Sequence, residues 1–110
     1  MTKITFYKTT SGEYKGFTCD GHAGYAGYGE DIVSASISVL VINTINSLDQ
    51  IAGEKIQVES DEDTGTIRCR FVNQPLKETS KVLIDSLVLG LTQIEKQYGK
   101  NYCKLTFEEV

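Results

Sequence analysis

Much that would announce a function is missing from this chain. It has no run of about 18 apolar residues, so no helix is expected to cross a membrane. Its first residues, Met1-Thr2-Lys3-Ile4-Thr5-Phe6, lack the apolar core of a secretory signal, and the protein is expected to act in the cytosol. Positive charge is short: 11 lysines and arginines stand against 15 acidic residues, for a net charge of −4. That balance argues against direct nucleic-acid binding through phosphate neutralisation and is compatible with a basic peptide. Cysteine is sparse. Cys19, Cys69 and Cys103 lie far apart without C-x-x-C spacing, so a zinc site is not expected. In the cytosol they should be free thiols, and each falls in a strand-like stretch where it reads as a small buried hydrophobe. Repeats, linkers and low-complexity segments are absent. With 110 residues, one domain over 1–110 is expected, large enough to bury about two thirds of its unfolded surface.

What is present divides cleanly into elements. Residues 2–9 alternate, with Ile4 and Phe6 on one side and Thr5 and Tyr7 on the other, which predicts a half-buried strand. Thr10-Ser11-Gly12-Glu13 is a turn, and residues 14–20 form a second strand with Phe17 and Cys19 inward, so the two should make a hairpin. A helix is predicted over 30–52 from Ile32, Val33, Ile37, Leu40, Val41, Ile45, Leu48 and Ile51, with Glu30 and Asp31 in its first turn and Gly53 ending it. Ile56 and Val58 mark a third strand, Asp61 to Gly65 an acidic turn, and Ile67, Cys69 and Phe71 a fourth strand. After Asn73-Gln74-Pro75 a second helix is predicted over 76–98, with Val82, Leu83, Leu87, Leu91, Ile94 and Tyr98 as its apolar stripe and Gly99 at its end. Cys103, Leu105 and Phe107 give a last strand.

Two helices cannot cover both faces of five strands. The expected fold is therefore α/β of the α+β type, in the order ββαββαβ. It is a two-layer sandwich, with both helices on one face of a mixed, largely antiparallel sheet. The other face is expected to carry Thr5, Tyr7, Tyr14, Thr18, Arg68 and Arg70, either solvated or buried in a dimer.

The chain is organised around residues 20–38. This stretch holds the single histidine, His22, and four glycines at positions 21, 24, 27 and 29. A glycine-rich loop bearing a histidine thus runs into a helix N-terminus, where backbone N–H groups lack partners and carry partial positive charge. A thiol there ionises easily. The residue in the first turn, however, is Ser34, and a hydroxyl needs a strong base beside it. Asp31, Ser34 and Ser38 share one stripe of the helix. That stripe is either a solvated face or the floor of a cleft. A phosphate-loop reading fails: the glycine spacing is wrong, and no lysine or arginine lies between Asp20 and Asp49.

The pattern Gly21-His22-Ala23 followed by Gly29-x-Asp31-Ile32-Val33-x-Ala35 resembles the ribosomal-processing cysteine protease family, Prp, and the length and order of elements fit over the whole chain. In that family the histidine of G-H-A and a cysteine after D-I-V form a catalytic dyad. His22 matches the histidine, and Ser34 stands where the cysteine should be. The resemblance implies a cysteine endopeptidase that removes the N-terminal extension of large-subunit ribosomal protein twenty-seven, cutting after an aromatic residue during ribosome assembly. It implies no metal or cofactor, and a homodimer.

His22 would take the proton from the nucleophile and return it to the leaving amine. Asp31 is either an acid that orients His22 or a helix-terminus acid without chemical role. Gly21, Gly24, Tyr25, Gly27, Tyr28 and Ser38 are the expected substrate-binding residues, with the tyrosines and glycines as a lid that orders over the peptide. With Ser34 the chain should be inactive. An engineered exchange of cysteine is favoured because everything around position 34 fits the active pattern. The alternative is a natural pseudoenzyme or binding module that holds a ribosomal protein.

Overall fold

Among the described residues, five strands and two helices follow in the order ββαββαβ: β1 Thr2–Lys8, β2 Tyr14–Asp20, α1 Ile32–Gln50, β3 Ile56–Asp61, β4 Thr66–Phe71, α2 Glu78–Tyr98 and β5 Cys103–Glu109. The structure is a computed structural model and describes residues 1–24, 26 and 31–110. The sheet order is β3-β4-β2-β1-β5. Pairings β1–β2, β2–β4 and β3–β4 are antiparallel and β1–β5 is parallel, so the sheet is mixed and largely antiparallel, as the sequence led us to expect.

Alternation in the strands decides where the helices go. Phe6 pairs with Phe17, and Phe17 with Cys69, so these side chains share one face. All three are buried in a single core with Val33, Ile37, Val41 and Leu48 of α1 and Ile84, Leu87 and Leu91 of α2. Both helices therefore lie on that face. They cross closely because α2 has Gly90 at the contact: a Cβ there would come within 3.0 Å of Leu40 Cδ1. By length and composition α1 could pass for a membrane span, but here its apolar stripe is taken up by the sheet.

The helix ends follow local chemistry. Asp31 is the N-cap of α1, with its side chain accepting from Val33 N and Ser34 N; it does not lie inside the first turn. The Asx side chain competes best for these two N–H groups from the cap position itself. Glu30, expected beside it, lies outside the described residues. At the other end Gly53, at φ +65, turns the chain so that Glu54 N donates to Leu48 O at 2.8 Å. Helix α2 begins at Glu78 rather than 76. Lys77 is its N-cap, and the Lys77 N–H donates to the buried Glu54 carboxylate at 3.1 Å.

Two side-chain placements differ from the sequence expectation. Tyr14 lies on the helix-covered face. The register passes from Tyr7↔Gly16 to Lys8↔Tyr14, so β2 carries one extra residue, Lys15. A bulge of this kind reverses the inside–outside alternation beyond it. The Tyr14 ring meets Phe6 edge-on at 6.2 Å. Burial, and then the Asp85 carboxylate of α2, push its phenol above the ordinary value. In α2, Val82 is exposed, and Ile84 is buried instead, because the core-facing stripe runs through Ile84, Leu87 and Leu91.

The helix-free face keeps Thr5, Tyr7, Thr18, Arg68 and Arg70. Thr5 and Thr106 join hydroxyls there at 3.0 Å. The three thiols are free and buried. Burial first of all pushes Cys19 and Cys69 up to about 12 and Cys103 up to about 11.

Candidate active site

His22 leaves the end of β2 between two fixed points. Before it, Gly21 takes φ +86 and lies so close to the chain start that a Cβ would sit 2.8 Å from Met1 O. Thr2 Oγ1 donates to Gly21 O at 3.3 Å. After it, Ala23 is 2% exposed and belongs to the core. The imidazole itself is exposed. Across from it stands Gly65 in the β3–β4 turn, also at positive φ, +69; a Cβ on Gly65 would come within 2.9 Å of His22 Nε2. The turn therefore forms a wall against the ring, and only glycine leaves the ring its space.

Ser34 is the third residue of α1. Its hydroxyl accepts a hydrogen bond from Ala23 N–H at 2.7 Å and donates one to Asp31 Oδ2 at 3.0 Å. The residue after the histidine thus ties its backbone directly to the position-34 side chain, and that is how two residues twelve positions apart in sequence come to one place. Asp31 makes a second tie. Its Oδ1 accepts from Val33 N and Ser34 N at 3.1 and 2.9 Å, and its Oδ2 also accepts from Gly24 N at 2.9 Å. One carboxylate therefore caps the helix, holds the start of the glycine loop and orients the Ser34 hydroxyl.

This arrangement makes a testable distinction. Asp31→Ala removes the cap and should cost about 1–2 kcal/mol, which lowers Tm by roughly 4–16 °C in a domain of this size. Asn caps as well as Asp, so Asp31→Asn should keep Tm within about 2 °C, since one acceptor on the Gly24 and Ser34 side is exchanged rather than the whole cap. Scanning calorimetry of the two variants decides; equal losses in both would show that the charge, and not the cap, carries the stability.

A groove of about 550 Å³ runs from this point between α1 and β3. His22, Gly21, Ser34 and Ser38 line one end, and Ile42, Ile45, Asn46, Val58 and Ser60 line the rest, with Asp61 and Glu62 at its rim. The structure thus brings His22, Ser34, Gly21 and Ser38 together on one groove, with Asp31 bonded to Ser34. Gly24 contributes its backbone N–H to Asp31. Tyr25, Gly27 and Tyr28, and with them the expected lid, lie outside the described residues.

Three features escaped sequence reasoning. The bond from Ala23 N–H to Ser34 carries no side-chain signature. Nothing ties Gly65 to a histidine 43 positions earlier except the strand pairing. The apolar end of the groove did have a signal: Ile42 stands four residues after Ser38 on the stripe that begins Asp31, Ser34, Ser38, and so continues a polar face with an apolar residue.

A family model described as cysteine protease Prp matches residues 1–103. The chain belongs to the cysteine protease Prp family. Among curated relatives, the ribosomal processing cysteine protease Prp of Staphylococcus aureus is 27% identical over 101 residues, covering 92% of this chain and 94% of that protein. The Bacillus subtilis protein of the same description is 25% identical over 104 residues, covering 92% and 93%. Among solved structures, that of the essential ribosomal processing protease Prp from S. aureus with a covalently linked product peptide superposes with a TM-score of 0.91 at 23% identity, over 98% of this chain and all of that one. The same protease with a substrate peptide gives 0.82 at 22% identity, over the whole of both chains. A Streptococcus mutans protein gives 0.83 at 25% identity, covering 100% and 96%. The two-layer ββαββαβ fold of this chain is therefore the Prp fold, and the family it belongs to is one of peptide-bond hydrolases that work through cysteine.

Proposed function

We propose that this protein is the Prp-type endopeptidase that removes the N-terminal extension of large-subunit ribosomal protein twenty-seven in the cytosol, and that Ser34 leaves the present chain able to hold that peptide but not to cut it. The observation that carries the reading is the hydrogen bond from Ala23 N–H to Ser34 Oγ at 2.7 Å. It joins the residue after the histidine to the side chain at the start of a helix, where the partial positive charge of the helix end also acts. A thiolate at position 34 would receive that N–H as a charge-assisted bond.

In the active form His22 takes the thiol proton, the sulfur attacks the peptide carbonyl, and the protonated imidazole passes its proton to the leaving amine. A thioester acyl-enzyme results, and water attacks it with His22 again as base. Asp31 opposes an anion at position 34 by its own charge. Three backbone N–H groups, of Gly24, Val33 and Ser34, share that charge. We assign Asp31 to orienting the site rather than to proton transfer. Gly21, Gly24 and Ser38 are assigned to the peptide path. No metal or cofactor enters this scheme, and neither nucleic acid nor membrane is a partner in it.

Cleavage of a peptide spanning the processing site, followed by mass spectrometry for the Ser34 and Ser34→Cys proteins, tests this reading. Peptide bound but left intact by Ser34→Cys would favour the second reading, a binding module for a ribosomal protein. A homodimer is part of the proposal. The helix-free face, with Tyr7, Arg68 and Arg70 around a groove of about 530 Å³, and the exposed Val39, Val82 and Leu89 of the helices offer surface for it. Light scattering at micromolar concentration is expected to give twice the 12.2 kDa chain mass; a value at the chain mass throughout would remove the dimer from the proposal.

A further inference from the structure

The strand that carries His22 leaves the sheet just where its backbone pairing on one side runs out. The register of β2 with β4 ends at Cys19↔Ile67. By contrast β3 and β4 stay paired out to Asp61↔Thr66, and β1 still pairs Lys3 with Asp20. On the β4 side a side-chain bond takes over: Thr66 Oγ1 donates to Asp20 Oδ1 at 2.7 Å, the short distance of a hydroxyl on a charged carboxylate. Thr64 Oγ1 in turn donates to Thr66 Oγ1 at 2.9 Å, the nearer of its two acceptors. A carboxylate only accepts, and each threonine has one proton to give. The direction from Thr64 to Thr66 to Asp20 is therefore fixed.

Both ends of this bond adjoin the reacting end of the groove. Asp20 stands two residues before His22. Thr66 directly follows Gly65, where a Cβ would lie 2.9 Å from His22 Nε2 and 3.1 Å from its Cε1. Thr2 holds Gly21 O from the β1 side. The Thr66–Asp20 bond thus spans the gap between the strand end that carries the ring and the turn that walls it. Charge does not close that gap. The carboxylates of Asp20, Glu59 and Asp61 line one pocket of about 420 Å³ with Arg68, and like charges repel. A neutral hydroxyl that donates is the group that joins Asp20 to the acidic turn.

We propose that Asp20 and Thr66 form a latch that positions His22: their bond sets the gap between the imidazole and the Gly65 wall, and so keeps the ring at the groove end it shares with Ser34. This deepens the endopeptidase reading and rests on it for the reaction that His22 serves. Asp20 lies outside the lining of the groove and acts on the reaction only through His22. The bond is exposed, so water replaces it when it is broken and the fold loses little. The reaction loses more, because a shift near 1 Å at a reacting group costs about 10²-fold in rate.

The test reads geometry and rate separately. His22 is the single histidine, so its ring protons give unique NMR signals. In the Ser34 protein the ring Hε1 should show a nuclear Overhauser contact to the Gly65 Hα protons. Thr66→Val keeps the shape but removes the proton, and Asp20→Ala removes the acceptor; each should lose that contact. Thr66→Ser and Asp20→Asn keep donor and acceptor and should retain it. In the Ser34→Cys background, Thr66→Val and Asp20→Ala should each lower kcat for the processing-site peptide by about 10- to 100-fold. KM should stay within about two-fold, and Tm should fall by no more than about 4 °C. The double variant should lose no more than either single one, as residues acting through one bond do, and the two conservative variants should restore the rate. The latch is overturned if the contact is absent from the unaltered protein or persists in Thr66→Val and Asp20→Ala. It is overturned equally if the contact is lost without a fall in kcat, or if the two losses multiply. If Ser34→Cys cuts nothing, the endopeptidase reading fails and the NMR contacts alone decide the latch. If Ser34→Cys cuts and the latch variants cut as fast, the latch fails and the endopeptidase reading stands.

Discussion

Ser34→Cys is expected to raise cleavage of the processing-site peptide by about 10⁴- to 10⁶-fold, the scale of loss when one member of a catalytic unit is removed. The reason is acid strength. A hydroxyl at position 34 stays protonated at neutral pH, and its proton is already engaged with Asp31 Oδ2 at 3.0 Å. A thiol at the same place sits at a helix N-terminus, with Ala23 N–H directed at the heteroatom and an imidazole from the preceding residue nearby. These are the surroundings that lower a thiol's pKa. His22→Ala in the Ser34→Cys background should abolish cleavage again, because no other histidine exists in the chain.

The same variant predicts a labelling pattern. Iodoacetamide at pH 7 should modify position 34 first. Cys19 and Cys69, pushed up to about 12, and Cys103, up to about 11, are buried and should stay unmodified until the protein unfolds. Mass spectrometry of peptide and protein reads both results. Cleavage unchanged by Ser34→Cys, with the thiol labelled, would end the endopeptidase reading.

Gly65→Ala is the second large effect. It should lower kcat/KM of the Ser34→Cys protein by about 100-fold. Two costs combine. The residue holds φ +69, a conformation that costs a non-glycine residue about 1–2 kcal/mol. Its new methyl would stand 2.9 Å from His22 Nε2 and 3.2 Å from Gly21 O. The second contact is backbone and cannot swing away, so the turn or the ring must move. A displacement near 1 Å at a reacting group can cost about 10²-fold in rate. The two costs separate experimentally: the strain lowers Tm, while the displacement lowers kcat. Asn at this position tolerates positive φ better than Ala, yet carries a larger side chain toward the ring. Gly65→Asn should therefore recover part of the Tm but none of the rate. A rate that follows Tm in both variants would mean that the turn is structural only.

The sequence by itself determined the elements. Their periodicities of 2 and 3.6, the hairpin turn, Gly53 and Gly99 at the helix ends and the count of two helices for five strands fix a two-layer α+β fold, because each signal is local or counts surface to be covered. The resemblance carried by its motif pointed to His22 and Ser34 as a pair, and helical spacing placed Ser38 one turn further on the same stripe. Only the tertiary structure decided the rest. The bulge at Lys15 turned Tyr14 inward, and a bulge depends on the partner strand rather than on alternation within one strand. Asp31 became the cap that ties Gly24, Ser34 and the helix together, a role set by backbone N–H groups that have no letter in the sequence. Gly65 came against His22 because β4 pairs with β2, a contact between residues 43 positions apart. Ile42 and Val58 came to line one groove because α1 packs over a sheet whose edge strand is β3.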